Sequence, residues 1–148
     1  MLARVTLLAA VAAALTVSPA HARRVSIVYF KTPSNNIVCM FAGGLAGTKP
    51  FVVCAIKSGL KPPPPKVRCR EGDPTDQFVD LEQTGKATEP SCAGDPGPLV
   101  GEKQARVLKY GHTFKRKGLR CRSAVKGLTC RNKSGHGFFL SRGHSRRF

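Results

Sequence analysis

The stretch Gly118–Arg131, GLRCRSAVKGLTCR, gives the clearest indication of secondary structure in the sequence. If the chain turns at residues 125–126, Cys121 lies directly opposite Cys130. Leucines and cysteines then fall on one side of a two-stranded hairpin, and mostly arginines fall on the other. The spacing therefore predicts an antiparallel hairpin with one buried face and one basic face, closed by a disulfide between the two cysteines.

The same short alternating runs continue on both sides of this hairpin, separated by Gly, Pro and Asn. No stretch keeps apolar residues at helical spacing for three turns, so the predicted class is all-β. We expect a small, disulfide-bridged antiparallel domain, either a sandwich or barrel-like. The predicted strands are Val25–Phe30, Ile37–Phe41, Phe51–Ile56, Val67–Arg70, Gln77–Leu81, Val107–Tyr110, Gly118–Arg122, Leu128–Arg131 and Gly137–Ser141.

Six cysteines occur in the chain, an even number that suits a disulfide framework in an exported domain. If cysteines that follow one another in the chain are joined, Cys39 pairs with Cys54 and Cys69 with Cys92, although six cysteines allow 15 pairings. Zinc is the weaker interpretation, because its cysteine ligands come in close pairs and the gaps here are 15, 15, 23, 29 and 9. We therefore predict no metal and no cofactor.

Residues 1–22 have the features of a cleaved signal peptide. One charge, Arg4, precedes an apolar run over residues 5–17, and the small-residue pattern Ala20-His21-Ala22 follows. The apolar run is short for a membrane span, and no later segment is apolar enough to cross a bilayer. The sequence predicts a secreted or periplasmic protein whose residues 23–148 form a single β domain.

Charge is the strongest compositional signal, with 25 Lys and Arg against 8 Asp and Glu and a net charge of +17. It is distributed unevenly along the chain. Residues 23–102 carry 10 basic and 8 acidic side chains, whereas residues 103–148 carry 14 basic and none acidic. A block of this kind cannot neutralise itself internally, so the basic C-terminal part, residues 103–148, is expected to face anions.

The proposed hairpin places Arg120 opposite Arg131, and these like charges repel each other unless an anion or water lies between them. The predicted anion-binding residues are Arg120, Arg122, Arg131, Lys133 and Arg142. Nucleic acid, acidic cell-envelope polymer and anionic lipid would all respond to this charge. A solvated basic surface that only aids solubility is the plain alternative.

Three histidines, His112, His136 and His144, make a secreted cationic phosphodiesterase of ribonuclease-like chemistry the alternative function. Two histidines would have to converge to exchange protons, and their spacing gives no sign that any two do. We therefore assign no catalytic residue. The favoured function is a noncatalytic binding or structural domain that associates electrostatically with an anionic polymer.

Several motifs resemble those of an uncharacterised family of small exported bacterial cysteine-rich domains. They are TPSNNIVC at residues 32–39, CAGD at residues 92–95, and the segments LKYG, GLTC and GHGFFLSR between residues 108 and 142. The family patterns are Pro-Ser-x-Asn-Ile-x-Cys and Gly-His-Gly-Phe, and Asn35 stands where relatives carry Gly. The resemblance implies a cysteine-bridged β domain, exported or lipid-anchored, with no established activity. In the Gly-His-Gly-Phe motif we expect a sharp turn into a strand whose Phe138 and Leu140 enter the core.

Overall fold

The computed structural model describes residues 24–94 and 96–148, and the predicted signal peptide at residues 1–22 lies outside them. Twelve strands and one 3-10 helix, Gly97–Gly101, occur in this part of the chain. The predicted all-β class is confirmed. The strands are β1 Ser26–Lys31, β2 Ile37–Gly43, β3 Phe51–Ile56, β4 Asp73–Pro74, β5 Phe78–Glu82, β6 Cys92–Ala93, β7 Arg106–Val107, β8 Thr113–Arg116, β9 Leu119–Ala124, β10 Gly127–Arg131, β11 Gly137–Leu140 and β12 Ser145–Arg147.

Two five-stranded sheets make up most of the fold. The N-terminal sheet has the order β5-β3-β2-β1-β7, with β7 parallel to β1 and every other pair antiparallel. The C-terminal sheet is an antiparallel meander of β8 to β12, in the order β12-β11-β10-β9-β8. Strands β4 and β6 form a separate two-stranded sheet.

The core lies between the two large sheets, and this face-to-face packing makes the fold a sandwich. Alternate residues of each strand point inward, as the pleat requires. Phe41, Ile56 and Leu81 from the N-terminal sheet join Leu128 and Phe138 from the C-terminal sheet in one buried cluster. Leu140 lies in the same cluster, so the prediction that the strand after the Gly-His-Gly-Phe motif enters the core is confirmed.

All three predicted disulfides form. Cys39–Cys54 links β2 to β3 and Cys121–Cys130 links β9 to β10, each between residues directly opposite one another, with Cα atoms 4.1 Å and 4.0 Å apart. Both are fully buried in the core. Cys69–Cys92 lies outside that cluster and ties the segment after the Pro62–Pro65 connector to β6, just before the 3-10 helix.

The hairpin of β9 and β10 has the predicted register throughout. Cys121 faces Cys130, Arg120 faces Arg131, and the turn falls at residues 125–126. Leu119 and Leu128 are buried while the three arginines of the hairpin are exposed. The inner disulfide therefore clamps two strands whose outer faces carry opposed like charges.

The Thr32–Asn36 turn forms at the predicted place between β1 and β2. Asn35 has a φ of 56°, a conformation that glycine or asparagine adopts at little cost. The amide of Asn35 donates to the carbonyl of Thr32 at 2.9 Å. Asparagine therefore fits the position at which the family pattern has glycine.

The predicted strand Val107–Tyr110 is shortened to β7, Arg106–Val107, and the predicted strand Val67–Arg70 is wrong. The latter segment follows the Pro62–Pro65 connector, is mostly exposed, and pairs with no strand in the described residues. β-Propensity alone does not form a strand, because the backbone groups need a neighbouring edge to pair with. The sequence gives no prediction of β4, β6, β8 and β12, which are two to four residues long.

A buried carboxyl group lies on the outward side of β5. Asp80 stands opposite Val53 of β3, its backbone bridges Thr88, and its Oδ1 is buried without a hydrogen-bond partner among the described residues. Burial raises the pKa of Asp80 from 3.8 to about 6. The folded protein therefore holds this proton up to a higher pH than the unfolded chain does.

The Asp80→Asn variant is expected to be more stable than the natural protein at pH 7. A raised carboxyl pKa contributes stability that is fully present below pH 4 and is lost as the pH rises through 6. Because water still screens part of the side chain, we expect a gain of about 1–2 kcal/mol at pH 7 and little difference at pH 4. Urea unfolding of both proteins at the two pH values measures it. The exposed Asp73→Asn variant controls for the lost charge, and an equal difference at both pH values would contradict the prediction.

A candidate anion-binding face

The outward side of the C-terminal sheet carries the basic residues that the sequence singled out. We call this surface the basic face. Its side chains are Thr113 and Lys115 of β8, Arg120 and Arg122 of β9, Thr129 and Arg131 of β10, Phe139 of β11, Arg146 of β12 and Phe148 just after it.

Two rows of side chains cross this face perpendicular to the strands. The first runs from Lys115 through Arg120 to Arg131, so that three adjacent strands each present a cation at the same level. In this sheet the Cys121–Cys130 pair is of the close, non-hydrogen-bonded type, which by alternation makes Lys115–Arg120 a close pair as well. The Cα atoms of three residues with cationic side chains thus lie about 5 Å apart in a line across the strands.

The second row runs from Thr113 through Arg122 and Thr129 to Phe139 and Arg146. Here the charges are separated by hydroxyl groups and an aromatic ring. The two rows together with Phe148 give the face five cations and two phenylalanine rings. No acidic residue occurs on it, since residues 103–148 contain none.

The Phe148 ring lies between two guanidinium groups. Its backbone pairs with Gly137, with both hydrogen bonds at 2.8–2.9 Å, which extends the sheet by one residue beyond β12. The Arg131 guanidinium lies 4.4 Å from the ring centroid and that of Arg146 lies 5.3 Å away. Cation–π attraction to a shared ring offsets part of the repulsion between the two arginines.

No side chain of the basic face forms a salt bridge within the described residues. Within residues 24–94 and 96–148 three salt bridges form, Lys49–Glu82, Lys57–Glu102 and Arg147–Glu89. Only Arg147 belongs to the C-terminal sheet, and it points away from the basic face. The five cations of the face are therefore available to an external anion.

Two of the predicted anion-binding residues lie away from the rows. Lys133 follows β10, and its side chain crosses the β8–β9 turn so closely that a Cβ on Gly118 would come within 2.3 Å of it. Arg142 lies in the turn before β12 and lines a separate cleft of about 400 Å³ with Tyr110 and Lys126. The fold thus brings Arg120, Arg122 and Arg131 together and leaves Arg142 at the other end of the sheet.

The three histidines do not converge. His112 precedes β8 and His144 precedes β12, the two outer strands of a five-stranded sheet, so about 19 Å of sheet separates them. His136 lies in the turn between β10 and β11, at the opposite end of the strands. This placement does not supply the pair of proton-transferring groups that the phosphodiesterase alternative needs.

The described residues contain neither a cluster of metal ligands nor a membrane-spanning helix. No three His, Cys, Asp or Glu side chains group there as ligands of an ion would. No helix in the same residues is long and apolar enough to cross a bilayer. Three disulfides are typical of proteins that fold in an oxidising compartment.

Comparison with known proteins places the chain in a family. The sequence profile of a family of unknown function, DUF6636, matches residues 7–148. The chain belongs to this family. No curated protein and no solved structure matches it. Membership of DUF6636 confirms the resemblance to an uncharacterised domain family and supplies no reaction.

Sequence reasoning about this DUF6636 domain missed part of the basic face. Lys115 joins Arg120 only because β8 pairs with β9, and the alternation Thr113-Phe114-Lys115 was the available signal for that strand. The prediction that Phe138 and Leu140 enter the core already turns Phe139 outward, and the pairing of β10 with β11 brings it onto the face. Phe148 gives no signal in the sequence, because its position depends on the return of β12 along β11.

Proposed function

We propose that this protein is an exported, noncatalytic domain that binds an anionic polymer through the basic face. The row Lys115–Arg120–Arg131 carries the proposal. Three cations held in line on rigid strands, with no carboxylate among them, repel one another until anions lie between them. A flexible polymer with closely spaced negative charges supplies those anions at several points at once.

The fold supports this use of the charge in a second way. The Cys121–Cys130 disulfide and the leucines beside it fix the strands from the inner side, so the arginines keep their spacing without a ligand. A preformed array loses little conformational entropy on binding. The predicted signal peptide and the three disulfides support export to an oxidising compartment, where acidic envelope polymers and released nucleic acids occur.

The Arg120→Ser/Arg131→Ser variant is expected to leave a heparin column at clearly lower salt than the natural protein. Both arginines belong to the row that carries the proposal, so their loss removes two ionic contacts. The measurement is the sodium chloride concentration at elution from one gradient. Circular dichroism checks that the variant stays folded.

The matched control is Arg68→Ser/Arg70→Ser, which removes two exposed arginines from the segment after the proline-rich connector. Both double variants remove two positive charges. The control should elute close to the natural protein. Equal shifts for the two variants would show that total charge, and not the basic face, governs retention, and failure of the natural protein to bind at low salt would remove the proposal.

A further inference from the structure

Two phenylalanine rings on the basic face each lie close to a glycine. A Cβ on Gly127 would come within 2.8 Å of the Phe139 ring, and a Cβ on Gly137 would come within 3.0 Å of the Phe148 ring. The same Cβ atoms would meet backbone carbonyl oxygens first, that of Leu140 at 2.3 Å and that of Cys130 at 2.0 Å, so neither position accepts a side chain. Both rings therefore pack against bare backbone at these glycines.

Both rings are half-buried, with planar groups beside them. Phe139 has the His144 ring 6.4 Å away, centroid to centroid, and Phe148 carries the Arg131 and Arg146 guanidinium groups. Aromatic rings and guanidinium planes are the surfaces on which unpaired nucleobases stack. Charge repulsion alone gives no reason for apolar rings at these positions.

The rings and most of the cations occupy different halves of the face. Lys115, Arg120 and Arg122 lie on β8 and β9, whereas both rings and Arg146 lie on or beside β11 and β12, with Arg131 between the halves. A polymer that fits both halves has a charged backbone along one side and flat apolar groups along the other. Polyphosphate has no flat groups, and duplex DNA keeps its bases stacked inside the helix. Acidic polysaccharide presents the puckered faces of its sugar rings and no planar π system, which a guanidinium plane favours.

We propose that the anionic polymer bound by the basic face is single-stranded nucleic acid, with phosphates along β8 and β9 and bases stacked on Phe139 and on the Arg131–Phe148–Arg146 group. This rests on the proposed function and adds the identity of the ligand. The rings would contribute affinity without sequence preference, because every base has a flat face.

The Phe139→Leu/Phe148→Leu variant tests the proposal with two probes, a fluorescent 12-nucleotide oligo(dT) and polyphosphate of similar charge. Leucine keeps an apolar side chain and removes the ring. We expect oligo(dT) affinity to fall roughly tenfold for each ring lost, and polyphosphate affinity to stay unchanged. The control is Phe51→Leu, which removes a half-buried ring from the N-terminal sheet and should change neither affinity.

Salt dependence separates stacking from charge. The three phosphate-binding cations of β8 and β9, Lys115, Arg120 and Arg122, predict a slope of about −2 for log K against log salt with a single strand, or roughly a twentyfold loss between 50 and 200 mM. The ring variant should keep this slope while its affinity drops at every salt concentration. The Arg120→Ser/Arg122→Ser variant, which leaves both rings and their stacked guanidinium groups in place, should instead reduce the slope to about −0.7.

The possible failures are distinguishable. Binding of polyphosphate with no effect of the ring variant on oligo(dT) would overturn the nucleic-acid assignment and leave the proposed function intact. A parallel loss for both probes would also overturn it, since the rings would then act only through the shape of the face. If the natural protein binds neither probe at low salt, the proposed function itself fails.

Discussion

The Phe138→Ala variant is expected to unfold with a free energy about 4 kcal/mol lower than the natural protein. Phe138 is fully buried on β11, directly opposite Cys130 of β10 and Arg147 of β12. Alanine would remove the ring from the centre of the cluster between the sheets and leave a cavity that rigid strands cannot close. Urea unfolding measures the change as a lower midpoint with an unchanged slope.

The neighbouring Phe139 provides the matched control. It has the same side chain one residue along the same strand but faces outward and is half-buried. We expect Phe139→Ala to cost less than half as much stability as Phe138→Ala. Equal losses would mean that the inward and outward faces of β11 are wrongly assigned, and the basic face would have to be redrawn.

The Cys121→Ala/Cys130→Ala variant, which lacks the Cys121–Cys130 disulfide, is expected to have a free energy of unfolding about 3 kcal/mol lower. This part of the loss arises because the unfolded chain gains conformational entropy without the crosslink. The loss of two buried sulfur atoms adds to this, because Cys121 and Cys130 lie inside the core cluster. The opposed Arg120 and Arg131 then repel each other across strands that no covalent bond holds. Thermal unfolding with and without added salt measures both effects.

The half-buried Cys69–Cys92 bridge is the comparison for that experiment. It closes a longer loop, with a separation of 23 residues against 9, but packs outside the core cluster. Removal of this bridge should lower the free energy of unfolding only through the greater conformational entropy of the unfolded chain. It should leave the core packing and the salt dependence of unfolding unchanged. If deleting the core disulfide left the unfolding free energy unchanged, the hairpin would not be the rigid scaffold that the basic face requires.

The features that sequence reasoning predicted are those that depend on near neighbours in the chain. The two-residue turn fixes the register of β9 and β10, and a period of two then sorts Leu119 and Leu128 from the arginines. The Thr32–Asn36 turn and the disulfides between consecutive cysteines likewise join residues that are near one another in the chain. Val67–Arg70 failed because strand formation needs a partner edge, which no local pattern specifies.

Local sequence patterns were enough to predict the all-β class, the hairpin with its Cys121–Cys130 disulfide and the concentration of positive charge in residues 103–148, and chain locality predicted the other two disulfides. Which cations share a face depends on the tertiary structure, because alternation fixes whether a side chain points inward or outward but not which strand lies beside it. Lys115 joined the arginines through the pairing of β8, and Phe148 reached Arg131 through the return of β12 along β11. Strand order follows from burying the shared inner faces of two sheets, and that is a property of the whole chain.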